Sequence, residues 1–114
     1  MENAANSPIQ AVYSAIDAKF GKDIVVLKVS EISVLADYFI IATAGNPAQL
    51  RAMADAAEEA LSKHNVYLRH SEGYNTSKWV LLDFGDIIAH LFLAEDREFY
   101  NLERVWGDAE KITF

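Results

Sequence analysis

Two apolar runs separated only by Gly85-Asp86, Lys78 to Phe84 and Ile87 to Leu93, constrain this chain more than any other feature. A glycine-led two-residue linker between such runs predicts a β-hairpin, and a linker that short fixes the pairing register. The cross-strand partners are then Phe84 with Ile87, Asp83 with Ile88, Leu82 with Ala89, Leu81 with His90, Val80 with Leu91 and Trp79 with Phe92. Successive strand side chains point to opposite sides, so the register sorts them into two faces. Val80, Leu82, Phe84, Ile87, Ala89 and Leu91 form a wholly apolar face that must lie beneath helices. Trp79, Leu81, Asp83, Ile88, His90 and Phe92 form a mixed face, too apolar for solvent yet carrying an acid and a histidine within diagonal reach.

The rest of the chain supplies what this hairpin packs against. Ser7-Pro8-Ile9-Gln10 reads as a capped helix start with proline at the first helical position. Ile9, Val12, Ile16 and Phe20 then follow at helical spacing, and Gly21 is expected to supply the left-handed stop. Ile24 to Val29 and Tyr38 to Thr43 are strand-length runs, the second apolar on both faces as a central strand would be. Asn46-Pro47 opens a second helix with Leu50, Met53, Ala54, Ala57 and Leu61 on one face, ending near Asn65. A third strand is expected over Val66 to Glu72, parallel to the strand before the helix because βαβ crossovers set that orientation. A shorter helix from Glu95 to about Trp106 ends at Gly107. The predicted class is α/β (α+β): a single domain over residues 1–114, residues 1–6 flexible, with a five-stranded mixed sheet flanked by helices.

Composition narrows the chemistry. The 114 residues contain no cysteine, which removes thiolate nucleophiles, disulfides and the usual structural zinc sites. Lys+Arg 10 against Asp+Glu 17 gives a net charge of −7, a poor match to a phosphate backbone and a better one to a basic protein surface. Eight acids against two bases fall between Asp83 and Glu110, so nearly all the excess lies in the hairpin and the C-terminal segment. No run approaches the roughly 18 apolar residues of a membrane span, and the first residues lack a targeting character. A soluble, cytoplasmic protein is expected.

The mixed face suits a partner, since a tryptophan anchor ringed by a few polar groups is the usual arrangement of a binding hot spot. The plainer alternative is that the C-terminal helix covers the face and His90 bonds Asp83 as a satisfied core histidine. Asp83 and Asp86 around a tight turn could suggest a cation site for a metal-dependent nucleotidyl- or phosphotransferase. No glycine-rich phosphate cradle accompanies them, and Pro47 removes a backbone donor where an anion would want one. Asp83 and His90 lack a nucleophile and a Gly-x-Ser-x-Gly elbow. A generic acidic adaptor with some other basic partner is the third reading. No metal and no cofactor is expected.

Trp79-Val80-Leu81-Leu82-Asp83-Phe84-Gly85-Asp86-Ile87-Ile88-Ala89-His90-Leu91-Phe92, followed by Arg97-Glu98-Phe99-Tyr100-Asn101-Leu102-Glu103-Arg104-Val105-Trp106-Gly107-Asp108, closely resembles the ribosomal silencing factor (RsfS, Iojap or YbeB) family. Asp37 to Thr43, Gly45-Asn46, Gln49 to Ala52 and Glu72-Gly73 follow the family's order, so the resemblance spans roughly Ile9 to Asp108. Phe84 stands where the family often has Tyr, and Pro47 where Ser or Thr is usual. The resemblance implies a nucleotidyltransferase-like fold without enzymatic activity. It implies binding to the large ribosomal subunit through that subunit's ribosomal protein fourteen (uL family), blocking small-subunit joining and repressing translation, with a role in large-subunit maturation. It also implies homodimers in isolation, while the acid excess argues for little direct nucleic acid contact. Residue reading and resemblance meet on Trp79, Leu81, Asp83 and His90 as partner-facing residues, supported by Asp86, Tyr38, Arg97 and Tyr100. Trp79 would be the anchor, Asp83 and Asp86 would pair with basic groups, and His90 and Tyr100 would orient the carboxylates.

Overall fold

The computed structural model describes residues 7–30, 36–75, 78–100 and 109–114, with backbone alone for 98–100. The chain expected to be flexible at 1–6 therefore begins outside the described residues.

Helix α1, Pro8–Ala18, starts as its sequence dictates: the Ser7 side chain accepts from the Gln10 N–H, and proline takes the first turn, where its missing donor costs nothing. Its end differs from expectation. Phe20, not Gly21, takes the left-handed conformation (φ 65°), with Phe20 N–H donating to Asp17 O and Gly21 N–H to Ile16 O in a Schellman pattern. Gly21 is needed for space instead, because a Cβ there would lie 2.6 Å from Ile16 Cγ2. Helix α2, Pro47–Ser62, is capped by the Asn46 side chain on Gln49 N–H, and its chain turns out through Asn65 at φ 61°.

Among the described residues, six strands form one sheet: β1 Lys22–Lys28, β2 Tyr38–Ala44, β3 His70–Glu72, β4 Trp79–Asp83, β5 Ile87–Leu93 and β6 Glu110–Ile112, in the order β3-β4-β5-β2-β1-β6. The expected five become six because β6 is a three-residue charged edge strand with no alternation for a sequence reading to detect. The expected strand over Val66 to Glu72 shrinks to His70–Glu72. It points the same way as β2, as a crossover requires, but β4 and β5 lie between them. The parallel pair is β2 with β5.

The hairpin register is the one derived from its turn: Trp79–Phe92, Val80–Leu91, Leu81–His90, Leu82–Ala89 and Asp83–Ile88. Gly85 sits at φ 94°, a conformation open to glycine at the first turn position, and Asp83 Oδ1 accepts its N–H at 2.8 Å. Helices α1 and α2 cover one face of the sheet, burying Val80, Leu82, Ala89 and Leu91 of the hairpin with Ile40 and Ala42 of β2. Helix α3, Ala94–Tyr100, continues directly from β5 and packs on β5 and β2, and the remainder of the helix expected as far as Trp106, with its stop at Gly107, lies outside the described residues.

Candidate partner-binding face

On the side away from α1 and α2, alternation brings together three rows of side chains. Asp83, Ile88, Phe39 and Leu27 form one, Leu81, His90, Ile41 and Val25 the next, and Trp79, Phe92 and Thr43 the third. The middle of this face is closed. Leu27, Phe39, Ile41, His90 and Phe92 are buried, with Val29 and Ala36 completing a second small core. Toward the β3–β4 edge the face opens, and Trp79, Leu81, Asp83 and Ile88 are each half-buried. The centre of the face is core, and its rim on β4 is half-buried.

The rim is organised around an aromatic cluster. The Trp79 indole stacks on Phe92 at 5.2 Å between ring centroids and 23° between planes, while His90 meets Phe39 edge-on at 5.1 Å. Trp79 Nε1 donates to His90 Nδ1 at 3.3 Å. His90 Nε2 is buried without a hydrogen-bond partner among the described residues. Burial in this apolar setting pushes the His90 pKa from its usual 6.5 down to about 4, because the charged imidazolium would be desolvated. The ring is neutral at physiological pH. A cleft of about 180 Å³ bounded by Glu72, Gly73, Trp79 and Leu81 lies at the edge of the rim.

The structure redistributes several expected contacts. Asp83 does not bond His90; its Oδ1 is used by the Gly85 N–H, while His90 serves Trp79. Asp86 is exposed in the turn, and its carbonyl accepts Asp37 N–H at 2.8 Å and Tyr38 N–H at 3.0 Å, tying the hairpin tip to the start of β2. Tyr38 belongs to the opposite face: period-two alternation along β2 aligns it with Ile40 and Ala42, against the helix-covered core. There it helps to line a cavity of about 280 Å³ with Ile9, Val66, Phe84 and Ile87. Arg97 is spent internally, donating to Asp23 O and, at 2.8 Å, to Thr43 Oγ1, which pins α3 over β1 and β2. The Tyr100 side chain lies outside the described residues. Sequence reasoning missed Phe39 as the edge-on neighbour of His90. The signal was the two-sided apolarity of β2, but only the β2–β5 register reveals which β2 residue meets which β5 residue.

What fold and surface define is an α+β domain built on one mixed sheet, sealed under two helices on one side and opening on the other to an aromatic, acid-fringed rim. The chain belongs to the ribosomal silencing factor family: the family model described as "Ribosomal silencing factor during starvation" matches residues 2–114. Ribosomal silencing factor RsfS of Halalkalibacterium halodurans is 34% identical over 104 residues, 91% of this chain and 89% of that protein. The mouse protein named mitochondrial assembly of ribosomal large subunit protein 1 is 31% identical over 107 residues, 90% of this chain and 46% of that longer protein. A crystal structure of a Chromobacterium violaceum protein superposes with a TM-score of 0.86 at 32% identity, covering 100% of this chain and 92% of that one.

Proposed function

We propose that this protein is a non-enzymatic, cytoplasmic regulator of translation that binds the large ribosomal subunit and keeps the small subunit from joining it. The partner on that subunit is ribosomal protein fourteen of the uL family, reached through the β4 rim, and occupancy there also serves large-subunit maturation. The family supports the ribosomal setting, and the name of the mouse relative supports the large subunit. The observation that carries the surface assignment is the half-buried Trp79, stacked on Phe92 and hydrogen-bonded to His90 on the same face as Leu81 and Asp83. An aromatic side chain already ordered before binding presents a large apolar area at low entropic cost, and Asp83 and Asp86 offer carboxylates to basic groups at the turn end of the same hairpin.

Co-sedimentation with purified large subunits tests the assignment. Trp79→Ala should weaken binding by about 30-fold, the equivalent of about 2 kcal/mol for a lost tryptophan anchor. Subunit joining, followed by light scattering, should recover in parallel. Binding by Trp79→Ala at wild-type affinity would remove the β4 rim from consideration. Homodimers form part of the same proposal, and sedimentation velocity of the free protein checks them.

A further inference from the structure

We infer that His90 acts as a positioning residue for Trp79, its Nδ1 fixing the orientation in which the indole is presented, and that it makes no contact with the partner itself. The inference rests on the proposed role of Trp79 as the binding anchor. His90 is only 6% exposed, too deep in the sheet to be reached across an interface. Its neighbours hold it in place: Phe39 edge-on at 5.1 Å, Phe92 stacked at 6.4 Å and the Trp79 ring at 5.9 Å.

Stacking on Phe92 is compatible with more than one rotation of the indole about its terminal torsion, since ring faces attract whichever edge points outward. The hydrogen bond is not. Only one rotation aims Nε1–H at His90 Nδ1. Because indole nitrogen can only donate, Nδ1 must be the accepting nitrogen, and the neutral imidazole carries its proton on Nε2. That Nε2–H is the atom left buried without a partner among the described residues. An imidazole needed for packing alone would be better replaced by an apolar side chain of similar size, which leaves no orphaned donor. Retaining it makes physical sense when Nδ1 has a task, and ordering an anchor before association lowers the entropy lost on binding.

The test uses the full chain, uniformly ¹⁵N-labelled, with the Trp79 indole resonance assigned by its disappearance in Trp79→Phe. His90→Asn sets an amide oxygen near the position of Nδ1, whereas His90→Leu offers no acceptor. The Trp79 indole proton should stay protected in wild type and in His90→Asn and exchange at least about tenfold faster in His90→Leu. Large-subunit affinity should fall about fivefold in His90→Leu and remain within about twofold in His90→Asn, with thermal stability of the leucine variant no lower than that of asparagine. His90→Gln, whose amide lies one bond too far out, repeats the comparison should leucine not fold. Equal affinity losses in the asparagine and leucine variants, or a freed indole with undiminished affinity, would overturn the positioning role while Trp79→Ala still reported the anchor. Wild-type binding by Trp79→Ala would instead remove the anchor, leaving indole protection as evidence of the hydrogen bond alone.

Discussion

At the scale of single residues, two side chains sit in conformations or surroundings that work against them. Phe20 holds φ 65° at the α1 terminus and is 79% exposed as a residue, so it combines backbone strain with little burial. Glycine adopts that conformation freely, and Phe20→Gly should raise stability by up to about 1 kcal/mol, read as a higher urea midpoint at unchanged m-value. His90 is costly in a pH-dependent way. Its folded pKa of about 4 lies below the unfolded value of 6.5, so between these limits the unfolded chain binds more protons. Stability from this group is therefore fully present above pH 6.5 and is lost as the pH falls toward 4, by up to about 3 kcal/mol at one pKa unit per 1.36 kcal/mol. Urea titrations at pH 7 and pH 4 should show a smaller drop in His90→Asn than in wild type; equal drops would mean the buried imidazole does not govern this window.

At the scale of elements, the Gln49 side chain ties helices α1 and α2 together. Its Oε1 accepts Gly45 N–H at 2.7 Å, and its Nε2 donates to Lys19 O and Phe20 O at 3.0 Å, so the start of α2 is stapled to the end of α1. Gln49→Ala should cost about 1–2 kcal/mol of unfolding free energy, and Gln49→Glu, which keeps an acceptor for Gly45 but no donor for the α1 carbonyls, should fall between the two. Little of this was legible in the sequence, because the staple pairs residues about thirty positions apart. The elements themselves were legible where one local rule decided them: the capped helix starts at Ser7 and Asn46, and the hairpin, whose two-residue turn fixed every pair from Trp79–Phe92 to Asp83–Ile88. What escaped depended on partners distant in the chain, namely the insertion of β4 and β5 between β2 and β3, the short edge β6 and the side of the sheet taken by Tyr38. The rim was half legible for the same reason. Trp79, Leu81 and Asp83 follow from the hairpin alone, but the burial of His90 comes from Phe39 across the β2–β5 pairing.

At the scale of the whole molecule, the acid excess takes a different shape once folded. In the sequence it is a block from Asp83 to Glu110; among the described residues of the fold, Asp83 precedes the hairpin turn and Asp86 lies in it, Glu95 and Asp96 lie at the opposite end of β5 in the first turn of α3, and Glu110 is on β6, the far edge of the sheet. The acids in α3 suit the positive end of their own helix. Asp83 and Asp86 therefore charge the turn end of the hairpin, while Glu72, which pairs with Leu81, is the described β3 acid nearer Trp79. A rim with a few carboxylates steers a basic partner without dominating the affinity. Raising the salt from 50 to 200 mM should then weaken large-subunit binding by less than about tenfold, whereas a protein making six to ten phosphate contacts would lose about 10³–10⁵ over the same range. The doubly substituted Asp83→Asn, Asp86→Asn variant should lose most of that dependence, mainly through a slower association rate, while Trp79→Ala keeps the salt dependence and binds more weakly at every ionic strength. A steep salt slope that survives removal of both aspartates would place the contact on ribosomal RNA and away from a basic protein.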